Sequence, residues 1–272
     1  MRLLFCGDVV GRAGRRSVTS RLPDLRRTLA LDFVVVNGEN AAHGFGLTEK
    51  ICAEFFDAGA DVVTTGNHAW AQAEVIPYMD LEPRLLRPQN YPAGTPGHGV
   101  GSYRLEDGRR VLVVQVMTRL FMDPLDCPFA SLDAVLAAER LGDTADAIFV
   151  DVHGEATSEK MAVGHFLDGR VSAVVGSHTH IPTADAQILP AGTAYQTDAG
   201  MCGDYDSVIG MQKERAIERF VRKIPTGRLQ PAENEATLCG VLVETDDATG
   251  LAGRVMPIRL GGRLADAWPA EN

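Results

Sequence analysis

Two histidines, His178 and His180, follow the apolar run Val174-Val175-Gly176 and a serine. On extended backbone the spacing of two points both side chains the same way. Paired neutral imidazoles make a poor core and a good metal site; a polar turn after a strand is the plainer reading. The chain supplies partners of the right type in Asp8, Glu39, Asn40, Asn67, His68 and His153. Carboxylate, amide oxygen and imidazole together suit manganese, iron or zinc, whereas magnesium and calcium prefer oxygen alone. The set exceeds what one tetrahedral ion needs. Two ions sharing a carboxylate suit phosphoryl chemistry, where attacking and leaving oxygens must both be stabilised.

These residues need elements that aim them at one place. Arg2 to Gly7 reads as a buried strand that breaks at Gly7-Asp8-Val9-Val10-Gly11, and Arg15 to Leu29 as a helix. Leu31 to Val36 is a second strand, ending at Asn37-Gly38-Glu39-Asn40. A glycine-rich loop leads to Thr48, which caps a helix to Ala58. Ala60 to Thr65 is a third strand, ending at Gly66-Asn67-His68. Pro83 to Gly101 reads mostly as loop. Arg110 to Met117 is a strand, Ser131 to Leu141 a helix, Ala145 to Val152 a strand ending at His153, and Thr157 to Phe166 a helix. Thr193 to Thr197 is a short strand, Lys213 to Val221 a helix, and Cys239 to Glu244 with Gly253 to Leu260 a hairpin. Alternating strands and helices mark an α/β protein built from βαβ units. The candidate donors sit at or just past strand C-termini, the edge where open α/β sheets bind ligands.

Composition narrows the partners. A net charge of −10 over 272 residues argues against a dedicated nucleic-acid binder, and no stable DNA binding is expected. Five dispersed cysteines without a Cys-x-x-Cys pair read as reduced thiols. The opening apolar run is too short for a signal peptide, and no later run approaches the roughly 18 residues of a membrane span. The expectation is a cytoplasmic protein without a membrane partner. No linker or repeat divides the chain, so residues 1–272 are expected to form one domain. The glycines at 44 and 46 do not follow a Walker pattern, and no serine sits in a nucleophile elbow. A homo-oligomer is compatible with this sequence.

Taken in order, Gly7-Asp8, Gly38-Glu39-Asn40, Gly66-Asn67-His68, His153 and Gly176-Ser177-His178-Thr179-His180 resemble the motif blocks of calcineurin-like metallophosphoesterases. The stretches Gly7 to Gly11, Asn37 to Gly44, His153 to Lys160 and Leu189 to Tyr195 resemble the bacterial YmdB-like branch more specifically. The resemblance implies a four-layer α/β/β/α sandwich, where pattern alone reaches only βα units and a terminal hairpin. It also implies a dinuclear centre of iron or manganese, with zinc compatible. Asp8, Glu39, Asn40 and His180 would hold one ion; Glu39, Asn67, His153 and His178 would hold the other. A hydroxide between the ions would attack phosphorus in line, and His68 would protonate the leaving alkoxide.

Three departures separate this chain from the wider superfamily. The usual Asp-x-His opening is Asp8-Val9-Val10, the usual bridging aspartate is Glu39, and Asn67-His68 is followed by Ala69 in place of an acid. All three fit the YmdB-like branch. That branch implies a phosphodiesterase opening nucleoside 2′,3′-cyclic phosphates to 3′-phosphates. The competing readings are another dinuclear phosphohydrolase (a 5′-nucleotidase or nuclease) and a regulatory protein retaining the metal centre. A nuclease would want a basic groove, which is missing from the sequence, and an intact His68 argues against a purely regulatory role. His43 and Arg119 could meet substrate, with loop histidine and surface arginine as the plainer readings. His98 and His165 read as structural, and Lys160 as a solvated helix residue.

Overall fold

The computed structural model describes residues 1–225 and 227–269. In chain order, β1 (Arg2–Cys6) and the two-residue β2 (Asp8–Val9) lead into α1 (Gly11–Thr28). There follow β3 (Phe33–Asn37), α2 (Glu49–Asp57), β4 (Val62–Thr64), α3 (Val75–Met79) and β5 (Leu85–Leu86). The chain continues through β6 (Val100–Arg104), β7 (Arg110–Met117), α4 (Pro128–Ala138), β8 (Ala147–His153), α5 (Thr157–Leu167) and β9 (Ala173–Ser177). It closes with β10 (Gln187–Ile188), β11 (Ala194–Gln196), β12 (Met201–Cys202), α6 (Lys213–Arg222), β13 (Leu238–Thr245) and β14 (Ala252–Leu260).

The strands form two six-stranded sheets, β14-β13-β1-β3-β4-β5 and β10-β11-β9-β8-β7-β6, and β2 pairs with β12 in a third, two-stranded one. Within the first sheet β1, β3, β4 and β5 run parallel; within the second β7, β8, β9 and β11 do. Side-chain alternation stacks the layers. Leu3, Phe5, Phe33 and Val35 face Val111, Val113, Phe149 and Val175 in one apolar cluster between the sheets. The rings of Phe5 and Phe149 meet at 5.3 Å. The alternate residues Leu4, Val34 and Val36 turn outward onto Val18, Leu22 and Leu25 of α1 and onto Ile51 and Phe55 of α2. On the other side Leu112, Val114, Ile148, Val150 and Val174 meet Leu132 of α4 and Val163 and Leu167 of α5. Each large side chain so buried contributes roughly 1.5–3 kcal/mol. The result is the expected four-layer α/β/β/α sandwich.

Several boundaries differ from the sequence reading, and three have a clear physical reason. The helix expected from Arg15 begins at Gly11, because glycines there serve packing and do not break the helix: a Cβ on Gly14 would collide with the Cys202 carbonyl. The helix expected from Ser131 begins at Pro128, where proline at the first turn gives up an amide that has no partner anyway. Within the expected loop from Pro83, Leu85 and Leu86 form a buried edge strand, too short for any period to show. Thr48 caps α2 as expected, its hydroxyl accepting the Ile51 amide at 3.3 Å.

Candidate metal centre

Parallel strands share a direction, so their C-terminal ends share an edge. β1, β3 and β4 bring Asp8, Glu39, Asn40, Asn67 and His68 to that edge from one sheet; β8 and β9 bring His153, His178 and His180 from the other. Donor atoms of Asp8, Glu39 and His153 all lie within 4.8 Å of one another, and all three residues are buried.

Around His153 the ring nitrogens have defined roles. Ser177 Oγ donates to Asp151 Oδ1 at 2.6 Å, leaving its lone pair to accept the Nδ1–H of His153 at 2.9 Å. The Nε2 lone pair then faces Glu39 Oε2 at 2.6 Å, Asn67 Oδ1 at 3.0 Å and His178 Nδ1 at 3.1 Å. On the other flank His180 donates Nδ1–H to the Ile209 carbonyl at 2.8 Å, and its Nε2 faces Asn40 Oδ1 at 3.2 Å. The Asn40 amide nitrogen is turned away, donating to the Gly44 carbonyl at 3.0 Å. Asp8 accepts the His178 amide through Oδ2 at 3.0 Å, while its Oδ1 has no hydrogen-bond partner. Glu39 is similar: Oε1 accepts the His68 amide at 2.7 Å, and Oε2 has no hydrogen-bond donor.

Acceptors pointed at acceptors in a dry site repel one another unless cations lie between them. Burial, then the charges of Asp198 and Glu39, pushes the Asp8 carboxyl well above its ordinary range; burial also raises Glu39. Burial drives the imidazoles the other way. His153 falls well below its ordinary value, His178 to about 3 with the neighbouring His153 contributing, and His180 falls too. The histidines are therefore neutral, with lone pairs free to coordinate, and the acids need positive charge to ionise. Hard and intermediate donors converging in this way fit first-row metal ions. Gly66 keeps the space open: a Cβ there would fall on Glu39 Oε2 and His153 Nε2.

His68 stands at the mouth, its ring edge-on to Phe45 at 5.1 Å. It lines a cavity of about 280 Å³ together with Glu39, Asn40, His178 and His180 and the apolar Phe45, Ile209, Met211 and Leu229. His43 is exposed beside Gln230 and Pro231 in a neighbouring groove, and exposed Arg119 takes Glu159 at its amide. His98 and His165 are exposed. Lys160 is a correction. It is fully buried and paired with Asp198 at 2.8 Å, because it occupies the inner stripe of α5 with Val163, Gly164 and Leu167. That stripe was visible in the sequence; a lysine on it was the signal. Asp151 likewise interrupts the apolar run Ile148 to Val152, and Asp198 has no comparable mark.

The two facing sheets, with neutral imidazoles and uncompensated acids gathered on their common edge, have the architecture of the metallophosphoesterase class, and the relatives' names support a phosphodiesterase. Within that class the chain belongs to the YmdB-like protein family, whose model matches residues 4–258. A Bacillus subtilis (strain 168) relative named 2′,3′-cyclic-nucleotide 2′-phosphodiesterase is 47% identical over 94% of this chain and 95% of its own length. A crystal structure from Thermus thermophilus, described as a hypothetical protein, superposes with a TM-score of 0.89 at 45% identity, covering 96% of this chain and 99% of the other. The crystal structure of a novel phosphatase from Mycoplasma pneumoniae also gives 0.89, at 32% identity over 96% and 93%.

Proposed function

We propose that residues 1–272 act as a single-domain, metal-dependent phosphodiesterase that opens nucleoside 2′,3′-cyclic phosphates to 3′-phosphates. The observation that carries this reading is the convergence on His153 Nε2 of Glu39 Oε2, Asn67 Oδ1 and His178 Nδ1, all within 3.1 Å. In this reading Asp8, Glu39, Asn40 and His180 hold one ion, while Glu39, Asn67, His153 and His178 hold the other. Iron or manganese suits the donors best, and zinc is compatible. When bound, two such ions supply Lewis-acid charge stabilisation and a water acidic enough to lose its proton near neutral pH.

The chain's own residues do the rest. His68, its backbone tied to Glu39 Oε1, faces the cavity and donates a proton to the ribose 2′-oxygen as the bond from that oxygen to phosphorus breaks. The wall of Phe45, Ile209, Met211 and Leu229 offers apolar area to a base. Among the described residues no lysine or arginine lines this cavity, which favours a small diester over a polynucleotide and disfavours the nuclease reading. The B. subtilis relative's name supports the cyclic-nucleotide substrate. Among the described residues no helix is long and apolar enough to cross a membrane, and the five dispersed cysteines support a cytoplasmic location. The exposed Ile217, Phe220 and Val221 on α6 support a homo-oligomer.

Metal analysis of the purified protein, then hydrolysis of bis-p-nitrophenyl phosphate and of a 2′,3′-cyclic nucleotide panel with product identification, tests the reading. Two ions per chain and a 3′-phosphate product are expected. A protein that binds no first-row metal sinks it; one that binds two ions and cleaves no diester leaves the regulatory reading standing.

A further inference from the structure

Lys160 and Asp198 form a fully buried ion pair that the chemistry above does not use. Lys160 Nζ lies 2.8 Å from Asp198 Oδ2 and donates to the Ser177 carbonyl at 2.6 Å. Removing two charges from water is costly, and a well-packed apolar pair of similar volume often serves stability as well or better. Stability alone is therefore a poor account of this pair.

Its contacts point elsewhere. Asp198 Oδ2 also accepts the Thr179 amide at 3.0 Å and the Thr179 hydroxyl at 2.8 Å, while Oδ1 accepts the Gly200 amide at 2.8 Å. Lysine and aspartate thus grip the backbone on both sides of His178, at the carbonyl before it and the amide after it. That backbone is strained. His178 has φ +101° and His180 φ +68°, both in the left-handed region that glycine favours. Side chains persist there only where their surroundings impose the conformation. The lysine stem reaches the turn across Gly176, where a Cβ would lie 2.9 Å from Lys160 Cδ.

We propose that Lys160 and Asp198 are positioning residues that hold the Ser177-His178-Thr179-His180 turn in its strained form, so that both imidazoles face the metal centre. This rests on the reading of His178 and His180 as metal ligands. The test compares wild type with Lys160→Met, Asp198→Asn and Thr179→Val. The readouts are metal affinity by competition with a chromophoric chelator, the Co(II) absorption spectrum, and amide hydrogen exchange at residues 178–180 in metal-free protein. Lys160→Met is expected to lower metal affinity about tenfold or more, alter the Co(II) spectrum and speed exchange of the Thr179 amide. Thr179→Val keeps the ion pair and removes the hydroxyl's bond to Asp198, together with a long 3.5 Å bond from the Ile181 amide, at a half-exposed residue. It is expected to cost about threefold to tenfold in affinity with the melting temperature near wild type, and it decides the matter if Lys160→Met fails to fold. Folded variants that keep wild-type affinity and spectrum overturn the proposal. A wild type that binds no metal overturns the functional reading itself, a separate outcome.

Discussion

His153 Nδ1 lies 2.9 Å from the hydroxyl of Ser177, and that bond decides which ring nitrogen faces the centre. The hydroxyl is itself committed to Asp151 at 2.6 Å, so it can only accept from the ring. The imidazole is held as the tautomer whose Nε2 lone pair meets Glu39.

Ser177→Ala should therefore release the tautomer without touching a proposed ligand. We expect metal affinity to fall about 10- to 100-fold, with the fold retained by circular dichroism. Chelator competition measures it, and an unchanged affinity would show that Ser177 has no hold on the ring.

In the proposed ligand sets Glu39 is shared by both ions, so Glu39→Gln should remove a charge from a site that needs it. Loss of bound metal and of at least about 100-fold in kcat are expected, as for removal of a principal electrostatic stabiliser. Elemental analysis beside a bis-p-nitrophenyl phosphate assay checks both; full metal occupancy would argue against a bridging role.

His68→Ala should separate binding from proton transfer. Metal content stays at the wild-type level, while the rate on a 2′,3′-cyclic nucleotide drops about 10²- to 10⁴-fold. With p-nitrophenolate, which leaves without a proton, the loss should be much smaller. Equal losses on both substrates would remove His68 from the donor role.

Gly66→Ala places a methyl group on Glu39 Oε2 and His153 Nε2. The variant should fold, because the added carbon projects into the centre and not into an apolar cluster, yet bind less metal than wild type. Calorimetric metal titration of the two proteins gives the comparison.

The Asp151 carboxyl predicts a pH effect on the metal-free protein. Burial pushes it up to about 6 from an ordinary 3.8, against hydrogen bonds from Ser177, Thr64 and Asn37 that lower it. Between those values the folded chain keeps a proton that the unfolded chain has lost. Its contribution to stability is thus full below about 3.8 and is lost as pH rises through about 6. Relative to Asp151→Asn, wild type in chelator should lose up to ~3 kcal/mol across this window. Urea unfolding at a series of pH values measures the difference; a difference that is flat with pH would show Asp151 ionised in the fold.

Much of the site could be read in the chain because its residues obey local rules. Asp8, Glu39, Asn67, His153 and His178 each follow an apolar strand, and parallel strands send their C-terminal ends to one edge. The four layers follow from side-chain alternation along β1, β3, β7 and β8, which periodicity displays. Edge elements such as β5 were hidden because two residues carry no period.

By itself, then, the sequence determined which chemical groups reach the edge and in what order, since strand and turn signals act over a few residues. Only the tertiary structure decided how they are held. Asp151 gathers Asn37 and Thr64 from 114 and 87 residues away, and Lys160 finds Asp198 across 38. The first set is chosen by the packing of the two sheets against each other and the second by the packing of α5 on its own sheet, and no local pattern in the chain records either choice.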